Sequence, residues 1–143
     1  MGRGRHALPL ARAGLRVFGV DARFDAVRDA VEGARRERLE LRAWCADLTQ
    51  HPLPRSRFDI VLVTRYLQRD IVPAIRDAVV PGGVVVYETF TVQQLALGVG
   101  PKSPDHLLRP GELREAFANF EITFYEEVSQ PEAVARLIAR RRR

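Results

Sequence analysis

The sequence predicts an α/β domain: a mostly parallel sheet with helices on both faces and an antiparallel strand pair at the C-terminus. Three observations predict it. Strand-like and helix-like segments alternate from residue 5 to about 90, the pattern of strand–helix–strand crossovers. The segments at 15–20, 58–64 and 84–88 are largely apolar runs, as strands buried on both faces are. The segments at 121–128 and 133–139 alternate instead, with Ser129-Gln130-Pro131 between them, as an antiparallel pair would.

Each element has its own signal. Arg5 to Ala13 reads as a short helix stopped by Gly14. Leu15 to Val20 is a strand. Phe24 to Arg36 is a helix, with Phe24, Val27, Ala30, Val31 and Ala34 on one face. Leu39 to Trp44 alternates and reads as a strand. Thr49 to Arg57 carries Pro52 and Pro54 and is a loop. Phe58 to Thr64 is a strand, and Asp70 to Val80 a helix. Asp70 is its N-cap, and Pro73 lies near the first turn, where proline is tolerated. Pro81-Gly82-Gly83 is a turn into the strand Val84 to Glu88. Thr91 to Pro110 is a long connection, a kind that often carries function. Gly111 to Asn119 is a short helix. Ala133 to Ala139 reads as the last strand, although Pro131-Glu132 also fits a helix start. No boundary interrupts a single domain over 1–143.

Composition narrows the classes. A chain of 143 residues with 46% hydrophobic residues is large and apolar enough for a core. No apolar run approaches the ~20 residues of a membrane span, and no signal-peptide pattern is visible. Cys45 is the only cysteine, which excludes an intramolecular disulfide. The simplest compartment is the cytoplasm. The net charge is +5, yet only Lys102 among 23 basic residues is a lysine. An arginine-rich coding bias explains that without function, and the basic residues are interspersed with acids. Nucleic acid is therefore not the expected partner; only Arg140 to Arg143 form a pure basic cluster.

The stretch Gly2 to Asp21 carries the clearest chemistry. It reads as a glycine turn, a helix, and a strand ending in an acid. Gly2 and Gly4 permit close backbone approach to a ligand, and Asp21 suits ribose hydroxyls. Gly2-x-Gly4-x-x-Ala7 with Asp21 downstream also fits a dinucleotide fingerprint. Asp21 also reads as an N-cap acid of the following helix, the two roles being compatible, and Asp47 as a cap or turn acid before Thr49. Arg65 and Tyr66 follow a strand at the end where open α/β sheets bind ligands, so they face cofactor or substrate, or form a surface loop. Glu88 and Thr89 lie at the end of the next strand, where they face a substrate on the same argument or simply close the strand. Lys102, His106 and Arg109 form a basic set in the long loop, for a polar or anionic substrate or simply solvated. His51 and His106 lack ligand-spaced partners, so no metal site is expected.

The order of these parts resembles the class I S-adenosylmethionine-dependent methyltransferases, with their Rossmann-like fold. More narrowly it is similar to the small bacterial tellurite-resistance-type methyltransferases, over nearly the whole chain. Gly2-Arg3-Gly4-Arg5-His6-Ala7 resembles the end of that family's first motif, around the methionine part of the cofactor. Gly19-Val20-Asp21, with Ala22 after it, resembles the acid that grips the ribose. Ala46-Asp47-Leu48 resembles the site where an acid faces the adenine amino group and the next N–H meets the ring. Phe58-Asp59-Ile60-Val61 resembles the fourth strand, and Thr64-Arg65-Tyr66-Leu67 the segment beneath the cofactor. Pro81-Gly82-Gly83 resembles the turn into strand five, and the terminal pair the reversed seventh strand beside the sixth. Gly100-Pro101-Lys102 and Leu108 to Leu113 are similar to the connection after strand five.

The resemblance implies S-adenosylmethionine as cofactor, held by Gly2, Gly4, Asp21, Ala22, Asp47, Leu48 and Arg65. It implies a small-molecule acceptor near Tyr66, Glu88, Lys102 and Arg109, and it names no catalytic residue. The family's first strand has no counterpart before Gly2. Two expectations follow: the natural polypeptide starts upstream, or strands two and four close directly on each other. Competing functions are a nicotinamide-dependent oxidoreductase and a non-catalytic binding module. The acceptor and the oligomeric state are not legible.

Overall fold

Six strands and four α-helices form in the computed structural model, which describes residues 1–143. They gather into two compact units, Met1–His51 and Pro52–Arg143. Hydrogen bonding sorts the strands into a two-stranded and a four-stranded sheet.

The first unit holds α1 (Ala7–Arg12), β1 (Val17–Asp21), α2 (Phe24–Arg36) and β2 (Leu41–Cys45). The strands are parallel, with Val17 opposite Leu41 and Asp21 opposite Cys45. Ala26, Val27, Ala30 and Ala34 form the buried stripe of α2, and Phe24, expected there, is exposed. Both strands begin two residues later than the apolar pattern predicts, because the residues before them close the helices. Leu15 N–H reaches Leu10 O and Gly14 N–H reaches Ala11 O; Leu39 N–H reaches Ala34 O and Arg38 N–H reaches Arg35 O. These paired bonds satisfy the last carbonyls of each helix. They need a left-handed residue, supplied by Gly14 at φ 84° and by Arg38 at φ 55°.

The second unit holds β3 (Phe58–Thr64), α3 (Val72–Ala78), β4 (Val79–Phe90), α4 (Glu112–Ala116), β5 (Glu121–Val128) and β6 (Val134–Arg140). The sheet order is β3-β4-β6-β5. β3 and β4 are parallel, and β6 lies antiparallel between β4 and β5. The terminal segment left open between strand and helix is thus a strand.

Three boundaries depart from the sequence pattern. The helix expected over 70–80 is a 3-10 turn, Arg69–Ile71, followed by α3. Asp70 therefore caps nothing, and buried Val79 is already extended and paired with Phe58. Pro81-Gly82-Gly83 lies inside β4 rather than before it. Gly82 takes φ 82° and donates to Arg141 O at 2.9 Å. A Cβ on Gly83 would stand 2.8 Å from Asp59 O, so the strands approach closely only over glycine.

Tyr87, Val85, Ile75, Leu113, Phe117 and Leu137 are almost fully buried. Tyr87 meets Phe117 edge to face at 6.0 Å, and Phe117 meets Phe120 at 5.7 Å. The long connection is ordered by one side chain. Buried Gln94 accepts from Ala133 N–H at 2.7 Å and donates to Val99 O at 2.9 Å.

Candidate functional site

Parallel pairing puts the C-terminal ends of β1 and β2 on one rim. Ala46 N–H extends the ladder by donating to Asp21 O at 3.0 Å, so Asp21 and Asp47 stand on neighbouring strand ends. The glycine turn joins them. Gly2 and Gly4 take φ values of 58° and 91°, and Gly2 N–H donates to Asp21 Oδ2 at 2.7 Å. A Cβ on Gly4 would lie 3.1 Å from Leu8 Cγ and 3.3 Å from Ala30 Cβ, so glycine also permits the turn to seat on the helices. The Met1 ammonium donates to Val20 O at 2.7 Å and to Asp21 Oδ2 at 3.1 Å. Ala22 lies in the turn between Asp21 and α2, where its carbonyl accepts from Cys45 Sγ at 3.4 Å.

Both acids are acceptors at neutral pH. Partial burial pushes Asp21 up, but N–H donation from Arg23 and Gly2 and the Met1 ammonium outweigh it and hold it below its ordinary value. Donation from Thr49 N–H and its hydroxyl likewise lowers Asp47. Those two bonds fall on Asp47 Oδ1 and fix the turn holding Leu48, while Oδ2 makes none. Asp21 is not a side-chain cap of α2, whose N-cap is Arg23; its Oδ1 accepts Arg23 N–H in the approach to the helix.

In the second unit, Arg65 follows β3 in a left-handed conformation, φ 53°, which is costly for a side-chain-bearing residue. Its N–H continues the ladder to Glu88 O, and its guanidinium lies 5.2 Å from the Phe90 ring centre and 2.7 Å from Glu132. Tyr66 O accepts the Tyr87 hydroxyl at 2.9 Å while its ring is half exposed. Glu88 is bound by Arg136 at 2.6 Å. The Arg109 backbone N–H donates to Glu112 Oε2 at 2.8 Å, and its guanidinium Nε lies 3.4 Å from the same oxygen. His106 closes the 3-10 turn Pro104–His106, and Lys102 stands exposed in the same connection. The expected basic trio is therefore not one cluster of free cations, since Arg109 is paired. No group of three or more His, Cys, Asp or Glu side chains is placed to hold a metal ion. No helix is long and apolar enough to cross a membrane.

A family model described as a methyltransferase domain matches residues 1–83. The chain belongs to that methyltransferase family. Solved structures share its fold. The TehB protein of Haemophilus influenzae is 20% identical, with a TM-score of 0.77, covering 99% of this chain and 55% of that one. An S-adenosylmethionine-dependent methyltransferase of Mesorhizobium loti is 19% identical, TM-score 0.79, covering 98% and 87% of the two chains. The magnesium protoporphyrin IX methyltransferase of Synechocystis, solved with bound S-adenosylhomocysteine, is 19% identical, TM-score 0.74, covering 98% and 70%. This chain thus spans about half the length of TehB. No curated protein matches the sequence.

The methyltransferase chain also holds groups that its sequence does not announce. Arg69 and Glu112, far apart in the chain, form a two-point ion pair at 2.6 and 3.0 Å. Arg69 also donates to Asp105 O and Leu107 O, tying the long connection to the 3-10 turn before α3. The pair borders a cavity of about 280 Å³ between α3 and α4, walled by Leu67, Pro73, Tyr87 and Leu113. No local motif signals such a pairing, because neither residue breaks a pattern. Burial raises the Glu112 carboxyl, but Arg69 and the Arg109 N–H outweigh it and hold the group below its usual value. Its contribution to stability is thus present above the unfolded carboxylate range and is lost as pH falls through the lowered folded value. Glu112→Gln is expected to cost about 1–2 kcal/mol at pH 7 and to flatten the acid side of the stability profile below about pH 4.3. Thermal melts between pH 3 and 7 measure this, and an unchanged acid limb would contradict it.

Proposed function

We propose that this methyltransferase binds S-adenosylmethionine at the rim formed by Gly2, Gly4, Asp21, Ala22, Asp47 and Leu48 and methylates a small molecule. The observation that carries the reading is the convergence of two ionised carboxylates and a left-handed glycine turn on one sheet rim. The donor set fits the group. Asp21 suits the paired hydroxyls of a ribose, and Asp47 Oδ2 is open to an exocyclic amino group.

The sulfonium supplies an activated methyl group, so the protein's task is alignment and exclusion of water rather than a strong catalytic dyad. Asp21 fixes the cofactor's sugar. Asp47 and the Leu48 N–H orient the base. Arg65, held by its strained backbone and by Glu132, gives the end of β3 a fixed shape. A small acceptor is favoured over nucleic acid because much of the basic surface is internally paired. Arg3 with Asp25, Arg12 with Glu37, Arg42 with Glu40 and Arg69 with Glu112 are examples. The free, exposed Cys45 suits a reducing compartment such as the cytoplasm.

Calorimetric titration with S-adenosylmethionine and with NAD tests the reading. Binding of the first and not the second is expected. Binding of NAD alone would transfer the rim to hydride chemistry, and binding of neither would leave the rim without a cofactor.

A further inference from the structure

The β3-β4-β6-β5 sheet carries an apolar row on its exposed face. Register places Leu62 beside Val86, Val86 beside Ile138, and Ile138 beside Phe124, one residue per strand. Leu62, Ile138 and Phe124 are 36%, 36% and 42% exposed, and Val86 is half-buried. Ile60, two residues before Leu62 on the same face, is 53% exposed. An apolar stripe across four strands is not an ordinary solvated surface.

The rows on either side carry charge in a definite order. Toward the C-terminal end of β4 the row is Thr64, Glu88, Arg136, Glu126, with Arg136 bonded to both acids at 2.6 and 2.8 Å. On the other side it is Ile60, Val84, Arg140, Glu121. The face is thus nearly charge-balanced, although the chain as a whole is basic. It would not repel a copy of itself.

We propose that this face is the contact surface for a second copy of the chain, packed sheet against sheet about a two-fold axis parallel to the strands, between β4 and β6. That axis sets Val86 over the partner's Ile138 and Leu62 over the partner's Phe124. It also sets Glu88 over the partner's Arg136, and the reverse. The other in-plane axis, across the strands, would set Arg136 against the partner's Arg140 and Glu126 against the partner's Glu121. Like charges in both pairs disfavour it, so the charge order selects the first arrangement. A face of four short strands is at the small end of protein interfaces, so association is expected at roughly micromolar concentration.

Sedimentation of the full chain from roughly 1 to 100 µM tests this. The mass is expected to rise from monomer to dimer. Ile138→Lys, with an unchanged circular dichroism spectrum, is expected to weaken association more than tenfold. Phe124→Ser gives the same test from the edge strand should Ile138→Lys not fold. Glu88→Arg and Arg136→Glu are each expected to self-associate poorly, whereas a mixture of the two forms a heterodimer. A monomeric wild type across the range would overturn the proposal. So would a dimer insensitive to Ile138→Lys, or a mixture that associates no better than its parts.

Discussion

Asp21→Asn is expected to weaken S-adenosylmethionine binding roughly 10- to 100-fold, the loss of one charged hydrogen-bonding group from the rim. The amide keeps the shape of the carboxylate but not its charge, and its NH₂ cannot accept. In the free protein this carboxylate already gathers Gly2 N–H, Arg23 N–H and the Met1 ammonium, so it fixes the glycine turn against β1. The substitution therefore acts twice, on the proposed ribose contact and on the glycine turn that the carboxylate holds. Its lowered pKa keeps it ionised well into the acid range, so binding is not expected to fade between pH 7 and 5 through this group. Asp25→Asn is the control. Asp25 sits one turn away, exposed and paired with Arg3 and Arg23, and its loss is expected to change binding less than twofold. Calorimetry on the two variants reads the difference, and equal affinities for Asp21→Asn and wild type would remove Asp21 from the site.

The class of the fold was legible because it rests on periodicity, and periodicity reports burial directly. Residues 58–64 are apolar without alternation, and they form β3 in a parallel pair. Residues 134–140 alternate, and they form β6 between two antiparallel neighbours. The rim was partly legible for a related reason: an acid at the close of a strand-like segment lands at the strand's end whatever the tertiary arrangement, as do Asp21, the last residue of β1, and Asp47, two residues past β2. Where the reading failed, a competing local interaction decided. Leu15 and Leu39 look like strand residues, yet their N–H groups close helices. Pro81-Gly82-Gly83 reads as a turn, yet Gly83 is needed for a close strand contact that no pattern reveals. The partner that Glu88 takes across the sheet, Arg136, is fixed only by register. Side-chain pairings between distant segments, such as Arg69 with Glu112, leave no trace in local sequence.

Phe117→Ala is expected to destabilise the protein by about 3–5 kcal/mol, a large fraction of the margin typical of a folded domain. Phe117 is fully buried after α4, and its ring bridges Tyr87 and Phe120 in two edge-to-face contacts. Truncation removes the transfer energy of the ring, both aromatic contacts, and the packing of neighbours around the void. Collapse into that void is opposed on one side, because Tyr87 is held by its hydroxyl bond to Tyr66 O. Tyr87 also lines the cavity between α3 and α4, so the variant leaves its ring flanked by two empty spaces. The melting temperature is expected to fall by roughly 10 °C or more. Phe117→Leu, which keeps most of the volume, is expected to lose less than half as much. A loss under about 1 kcal/mol for Phe117→Ala would mean that α4 can repack over the sheet.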